Sequence, residues 1–217
     1  DERLERATRR YLDTVKAALL NEHYLEDELR LAHLAERGAE GRAPEARILR
    51  DPVRHDQEGW NRLRRQRLGP AGPDPDSRSF VPYTDMGRAR LDHLERCLDS
   101  IRADDVPGDL VDCGTGRGGG AMLMRAWLDA HELPRRRVWV VDRFRASDPP
   151  RKAPNLPDDG VAGFRADLNL VRDGFARFDL LDRRVRFLQG DPTETLARDA
   201  PDQIALLRLG PDLGDDA

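Results

Sequence analysis

The sequence predicts an α/β fold, a parallel sheet with flanking helices behind an N-terminal helical extension, and three observations predict it. Short apolar runs at 109–114, 137–142, 184–191 and 203–209 have the length and bounding turns of buried strands. Segments with helical spacing separate them, and such alternation implies a parallel sheet with crossover helices. The first run ends in a cluster of glycines that opens a helix, at Gly114, Gly116, Gly118 and Gly119.

Taken in order, residues 4–35 read as one helix. Leu4, Tyr11, Leu12, Val15, Leu19 and Leu20 recur near helical spacing with charges between them. Gly38 and Gly41 interrupt that pattern. Residues 45–67 are basic and fit no single pattern. Residues 69–82 (GPAGPDPDSRSFVP) hold four prolines and two glycines, which precludes regular structure. A helix from about 85 to 103 carries the stripe Met86, Leu91, Leu94, Leu98 and Ile101. Beyond the strand at 109–114, residues 118–131 read as helix, 137–142 as strand and 145–160 as a proline-rich loop. Residues 161–180 read as helix, with Phe164, Leu168, Val171, Phe175 and Phe178, and 184–191 and 203–209 as the last strands. The division expected is a helical extension or lid over 1–84 and a sheet domain over 85–217.

Composition narrows the function. The 217 residues include 38% apolar and 36% charged, enough for one packed core with solvated segments. A formal charge of -4 argues against a nucleic-acid partner, whose footprint is a basic patch. Of 37 basic residues only Lys16 and Lys152 are lysine, a bias of coding style rather than of recognition. No apolar run is long enough to span a membrane. Two cysteines, Cys97 and Cys113, make no disulfide framework, and a cytoplasmic location is expected. The five histidines show no metal-ligand spacing, and the basic run at 62–67 reads as a solvated helix face.

The chemistry concentrates at residues 112–119, Asp-Cys-Gly-Thr-Gly-Arg-Gly-Gly. Gly114, Gly116 and Gly119 satisfy G-x-G-x-x-G between a strand and a helix, the context of a Rossmann-like ligand turn. The pattern alone permits a nicotinamide cofactor. Asp112 disfavours it, because a carboxylate before the turn repels a pyrophosphate but attracts an ammonium group. S-adenosylmethionine carries an α-amino group and a sulfonium, so it fits better. Asp142 ends the next strand, where an acid takes both ribose hydroxyls. Phe144 is a candidate to pack on the adenine, and Gly190 and Asp191 close the third strand at its edge. The alternatives are that Asp112 caps the helix at Gly118 and that Asp142 is a strand-end turn residue. Ligands of open parallel sheets bind at the carboxyl ends of the strands, which all three acids share.

At this point the chain resembles the macrocin and mycinamicin (TylF/MycF-type) sugar O-methyltransferases. The similar stretches are YLDTVKAALLNEHY (11–24), RARLDHLERCLDSIRADDVPGDLVDCGTGRGGGAMLMRAWL (88–128), VWVVDRF (138–144), VRDGFARFDLLDRRVRFLQGD (171–191) and ALLRLGPDL (205–213). The resemblance implies methyl transfer from S-adenosylmethionine to a hydroxyl of a natural-product sugar or polyketide. It places Asp112 and the Arg117-Gly118-Gly119 turn at the methionine end, Asp142 at the ribose and Thr84 near the cofactor. It also implies magnesium, which polarises a sugar diol, and a homo-oligomer or a place in a larger biosynthetic protein.

Three departures accompany it. The family pattern resembles RLDGDLY, and its first aspartate, a metal ligand and general base, corresponds here to Gly210. Asp212 matches the second acid and is the remaining candidate for catalysis and for metal. Tyr83 and Asp85 replace a histidine and a methionine. Further strands and paired metal-binding aspartates are expected beyond Ala217. Two readings follow: an active O-methyltransferase, or a non-catalytic methyltransferase-like domain with a structural, dimerisation or docking role.

Overall fold

Leu110, Val111, Asp112 and Cys113 are all fully buried, as a strand covered on both faces must be. In the computed structural model, which describes residues 2–69, 72–73, 81–144 and 167–210, they belong to strand β1 (Asp109–Cys113). Strand β2 (Val138–Asp142) pairs with it on one side and β4 (Ile204–Leu209) on the other. Strand β3 (Val185–Gln189) lies outside β2. Every pairing is parallel and the order is β3-β2-β1-β4, so β1 is internal, as expected for the strand that carries the glycine turn. The register sets Asp112 beside Val140 in β2 and Arg208 in β4, and Asp142 beside Gln189 in β3.

The described residues group into two compact units. One holds residues 2–16, 90–144 and 167–210, and therefore the whole sheet; the other holds 17–69, 72–73 and 81–89. Within the sheet unit, helix α7 (Gly119–Ala130) follows β1 and is buried from Gly119 through Leu128, with Met122, Leu123, Trp127 and Leu128 fully inside. Helix α8 (Leu168–Arg177) buries Val171 and Phe175 and is capped by Asp167. Val111, Cys113 and Val141 form a buried cluster against which Trp139, Leu188 and Leu196 pack. Two polar fasteners hold the periphery. Arg125, almost fully buried, donates from Nη2 to Asp182 at 2.7 Å and from Nε at 3.3 Å. Buried Lys16, in helix α1 (Glu2–Leu19), reaches Asp92 at 2.5 Å and Glu95 at 2.6 Å in helix α6 (Arg88–Ala103).

The N-terminal reading needs correction. Residues 4–35 are not one helix: α1 stops at Leu19, a 3₁₀ turn covers Glu22–Tyr24, and α2 runs Leu25–Ala39. The break falls on Asn21, whose φ of 57° lies in the left-handed region that a right-handed helix cannot include. Residues 45–67 resolve into α3 (Ala46–Arg50), α4 (Pro52–His55) and α5 (Gln57–Leu68), with Asp51 and Asp56 capping the last two through their side chains. In the helical unit, Glu28 and Arg67 form a fully buried ion pair, and Asn21 Nδ2 donates to the same carboxylate at 3.1 Å.

Smaller corrections concern boundaries. Helix α6 begins at Arg88 rather than 85; Thr84–Gly87 form no regular element, with a bend at Asp85. The helix expected over 161–180 occupies 168–177, and 161–166 lie outside the described residues, as does the loop at 145–160. Helix α9 (Pro192–Asp199) was not anticipated; Asp191 caps it and Pro192 opens it. Among the described residues, no helix is long and apolar enough to cross a membrane.

Candidate functional site

The glycine turn between β1 and α7 forms the centre of the site. Gly114, Gly116 and Gly118 adopt φ of 65°, 56° and 90°. The tightest demand is at Gly118, the residue before α7: a Cβ there would stand 2.8 Å from Val171 Cγ1 of α8. A side chain would therefore be strained by backbone and neighbour together. Gly119 begins the helix, fully covered, while Gly114, Gly116 and Arg117 remain partly exposed at its mouth.

Asp142 faces this turn. Its Oδ2 accepts from Gly116 N–H at 3.3 Å and its Oδ1 from Phe144 N–H at 2.9 Å. Burial pushes its carboxyl above the usual range, the Phe144, Gly116 and Thr115 amides pull back, and the Asp112 charge pushes further upward. The carboxylate at the end of β2 and the turn at the end of β1 are thus one constellation. Gly190 joins it from β3, its N–H donating to Asp142 O at 3.0 Å.

Four other expected residues are held by the protein itself. Asp112 does not cap the helix at Gly118; that cap has no side-chain bond. Asp112 accepts instead from Thr115 Oγ1 at 3.0 Å and from Arg208 Nη1 at 2.5 Å, and has no exposed surface. Asp191 accepts from Thr193 N–H at 2.9 Å, from Thr193 Oγ1 at 2.6 Å and from Arg143 Nη2 at 2.6 Å, which hold its carboxyl low. Phe144 is only 4% exposed, has φ 48°, and meets Phe187 edge-on at 6.3 Å between ring centroids. Thr84 belongs to the helical unit, where it is buried and accepts from Met86 N–H at 3.1 Å. Asp212 lies outside the described residues.

The end of β4 differs. Gly210 is buried, and its N–H donates to Cys113 O at 2.7 Å. A Cβ on Gly210 would sit 2.1 Å from Gly114 O and 3.2 Å from Cys113 O. The backbone of the glycine turn occupies the space a side chain would need. Beside it, Cys113 is buried, and burial followed by the Asp112 and Asp142 charges pushes its thiol up to about 11, so it is not a nucleophile at neutral pH. Among the described residues, no three His, Cys, Asp or Glu side chains come together as a metal site.

Sequence reasoning missed Thr115, Arg143 and Arg208. Arg208 had a visible signal: it interrupts an otherwise apolar strand, IALLRL. Its partner, 96 positions away, had none.

A parallel α/β sheet with a glycine turn after an internal strand and an acid ending its neighbour defines the class of Rossmann-like α/β proteins. Within that class the chain belongs to the macrocin-O-methyltransferase (TylF) family, whose profile matches residues 8–216. It is 37% identical over 162 residues to the 8-demethyl-8-(2,3-dimethoxy-α-L-rhamnosyl)-tetracenomycin-C 4'-O-methyltransferase of Streptomyces olivaceus, covering 65% of this chain and 59% of that protein. The demethyldecarbamoylnovobiocin O-methyltransferase of Streptomyces niveus is 37% identical over 143 residues, 60% of this chain and 52% of that one. The mycinamicin III 3''-O-methyltransferase of Micromonospora griseorubida is 35% identical over 147 residues, 61% of this chain and 55% of that one. The solved structure of the O-methyltransferase NovP matches with a TM-score of 0.60 at 27% identity, covering 94% of this chain and 73% of that one. The matches thus span between about half and three fifths of the length of these curated relatives.

Proposed function

We propose that this chain binds S-adenosylmethionine at the carboxyl ends of β1, β2 and β3 and serves O-methylation of a small glycosylated natural product, as the names of its relatives suggest. The observation that carries this reading is the bond from Gly116 N–H to Asp142 Oδ2, which joins the glycine turn to an acid able to take two ribose hydroxyls. Gly114, Gly116, Arg117, Gly118 and Gly119 bound the amino-acid end, Gly190 and Asp191 border the base, and Phe144, expected to pack on the adenine, is only 4% exposed and serves instead through its N–H to Asp142. Asp112 acts from beneath the turn. Cytoplasmic action fits a cofactor of central metabolism.

Magnesium does not fit the described residues. Gly210 offers no side-chain ligand, and a Cβ there would stand 2.1 Å from Gly114 O. Asp212, proposed as the remaining acid, lies outside them. What the chain's own residues do is bind and orient: the turn sets the cofactor's position, and Asp142 fixes its rotation about the ribose.

The same geometry favours a second reading. With no base at residue 210, the chain fits a methyltransferase-like domain that binds cofactor without turning over, as a homo-oligomer or docked in a larger biosynthetic protein. Calorimetry with S-adenosylhomocysteine tests the binding common to both readings, and NAD binding in its place would refute them. A methyl-transfer assay on glycosylated acceptors separates them. Turnover that survives Asp212→Asn favours an active enzyme with a base elsewhere; binding without turnover favours the second reading.

A further inference from the structure

Phe144 bears on how ribose hydroxyls are recognised at Asp142, an inference that rests on the cofactor reading above. Its backbone has φ of 48°, a left-handed conformation that a bulky side chain adopts only at a cost. Such a conformation persists where the surroundings hold it. What it achieves is local: the Phe144 N–H turns back onto Asp142 Oδ1 at 2.9 Å, while Gly116 N–H reaches Oδ2 at 3.3 Å. The carboxylate is thereby held at both oxygens, and Phe144 supplies the shorter of these two bonds. The groups that hold Phe144 are aromatic. Its buried ring meets Phe187 of β3 edge-on, with centroids 6.3 Å apart and planes at 62°. Phe187 meets Phe175 of α8 edge-on at 5.7 Å and 85°, and the Arg172 guanidinium carbon lies 5.3 Å from the Phe187 ring centroid. Phe175 also backs the glycine turn: its Cε2 would stand 3.5 Å from a Cβ on Gly118. One row of rings therefore lies behind both the turn and the acid.

We propose that Phe187, backed by Phe175, braces Phe144 in its left-handed conformation and so fixes the Asp142 carboxylate for the ribose hydroxyls. Phe187 and Phe144 are then positioning residues that act through Asp142. Two probes isolate that effect: S-adenosylhomocysteine and its 2'-deoxyribose analogue, which lacks one hydroxyl. A loosened fold weakens both alike, whereas a displaced carboxylate erases the difference between them. Phe187→Leu keeps apolar volume at a half-buried position and removes the ring. Phe187→Tyr keeps the ring. Phe144→Gly removes the backbone strain and the anchor together, which separates bracing from mere backbone freedom. Thermal melts establish that each variant is folded before titration.

The wild type is expected to bind S-adenosylhomocysteine about tenfold or more tightly than the deoxy analogue, as expected for one charge-assisted hydrogen bond. Phe187→Leu should cut that preference about threefold or more, the scale of one lost aromatic pair, and leave affinity for the analogue within about twofold. Phe144→Gly should cut the preference at least as far, and Phe187→Tyr should keep most of it. If Phe144→Gly or a folded Phe187→Leu keeps the full preference, the brace is overturned while the cofactor reading stands. Equal losses in Phe187→Tyr and Phe187→Leu also overturn it. Should Phe187→Leu not fold, Phe144→Gly decides. If the wild type binds both probes alike, the ribose role of Asp142 falls and the brace with it; if it binds neither, the cofactor reading itself falls.

Discussion

Strands β2 and β4 flank β1 symmetrically, yet they end in opposite ways. β2 ends in Asp142, whose carboxylate is received by two backbone N–H groups and faces the glycine turn. β4 leads into Gly210, which has no side chain and whose Cβ position is occupied by Gly114 O. On one side of β1 the backbone makes room for an acid and orients it. On the other the backbone itself fills the space. At residue 210 the absence of a side chain and the close approach of the glycine turn go together, so an acid cannot be restored there without moving main chain.

The sharpest break of this comparison is Gly210→Asp, which would seem to restore the family's acid. With Cβ 2.1 Å from Gly114 O, the variant must displace the glycine turn. We expect a stability loss of roughly 1–3 kcal/mol or more, the cost of overpacking a close contact, together with loss of S-adenosylhomocysteine binding. Thermal melts and calorimetry check this. A folded variant that gains magnesium-dependent turnover would show that the β4 end still holds a vacant metal position.

The reciprocal change on the β2 side is milder. Asp142→Ala leaves no clash, and should weaken S-adenosylhomocysteine binding by about 1–3 kcal/mol through lost charge-assisted hydrogen bonds. Full affinity in this variant would contradict the ribose role.

Titration sharpens the same point. Burial raises the Asp142 carboxyl, so its ionised form is lost at a higher pH than for an exposed aspartate. If the ionised form takes the ribose hydroxyls, affinity should fall as the pH drops through that raised value, before ordinary carboxylates protonate. Binding isotherms across mildly acidic pH test this, and Asp142→Asn should flatten the profile.

The smallest effect lies away from the site. Burial opposes ionisation of Asp182, but bonds from Arg125 and Arg184 overcome it and hold the carboxyl at about 2. A depressed folded value contributes stability above the unfolded pKa, which is lost as pH falls from about 4 toward 2. Asp182→Asn should cost about 1 kcal/mol at neutral pH, discounted because the group is more than a third exposed. The deficit should vanish in acid. A deficit constant with pH would place its origin in packing instead.

How much of this was legible in the sequence depended on the range of the interactions. Strands, the glycine turn and Asp142 were readable because short apolar runs and the residues that end them are local signals. The sequence by itself determined the parallel α/β architecture, the internal position expected for β1 and the absence of a side chain at residue 210. It misread the N-terminal helices, since periodicity persists across Asn21 while one left-handed residue redirects the chain. Only the tertiary structure decided what Asp112 does. Its partner Arg208 is 96 positions distant, and only parallel pairing of β1 with β4 brings them to 2.5 Å. The same pairing sets Gly210 against Gly114 O. Spacing along the chain carries no information about such contacts, because they arise from strand register, which forms only when the sheet closes.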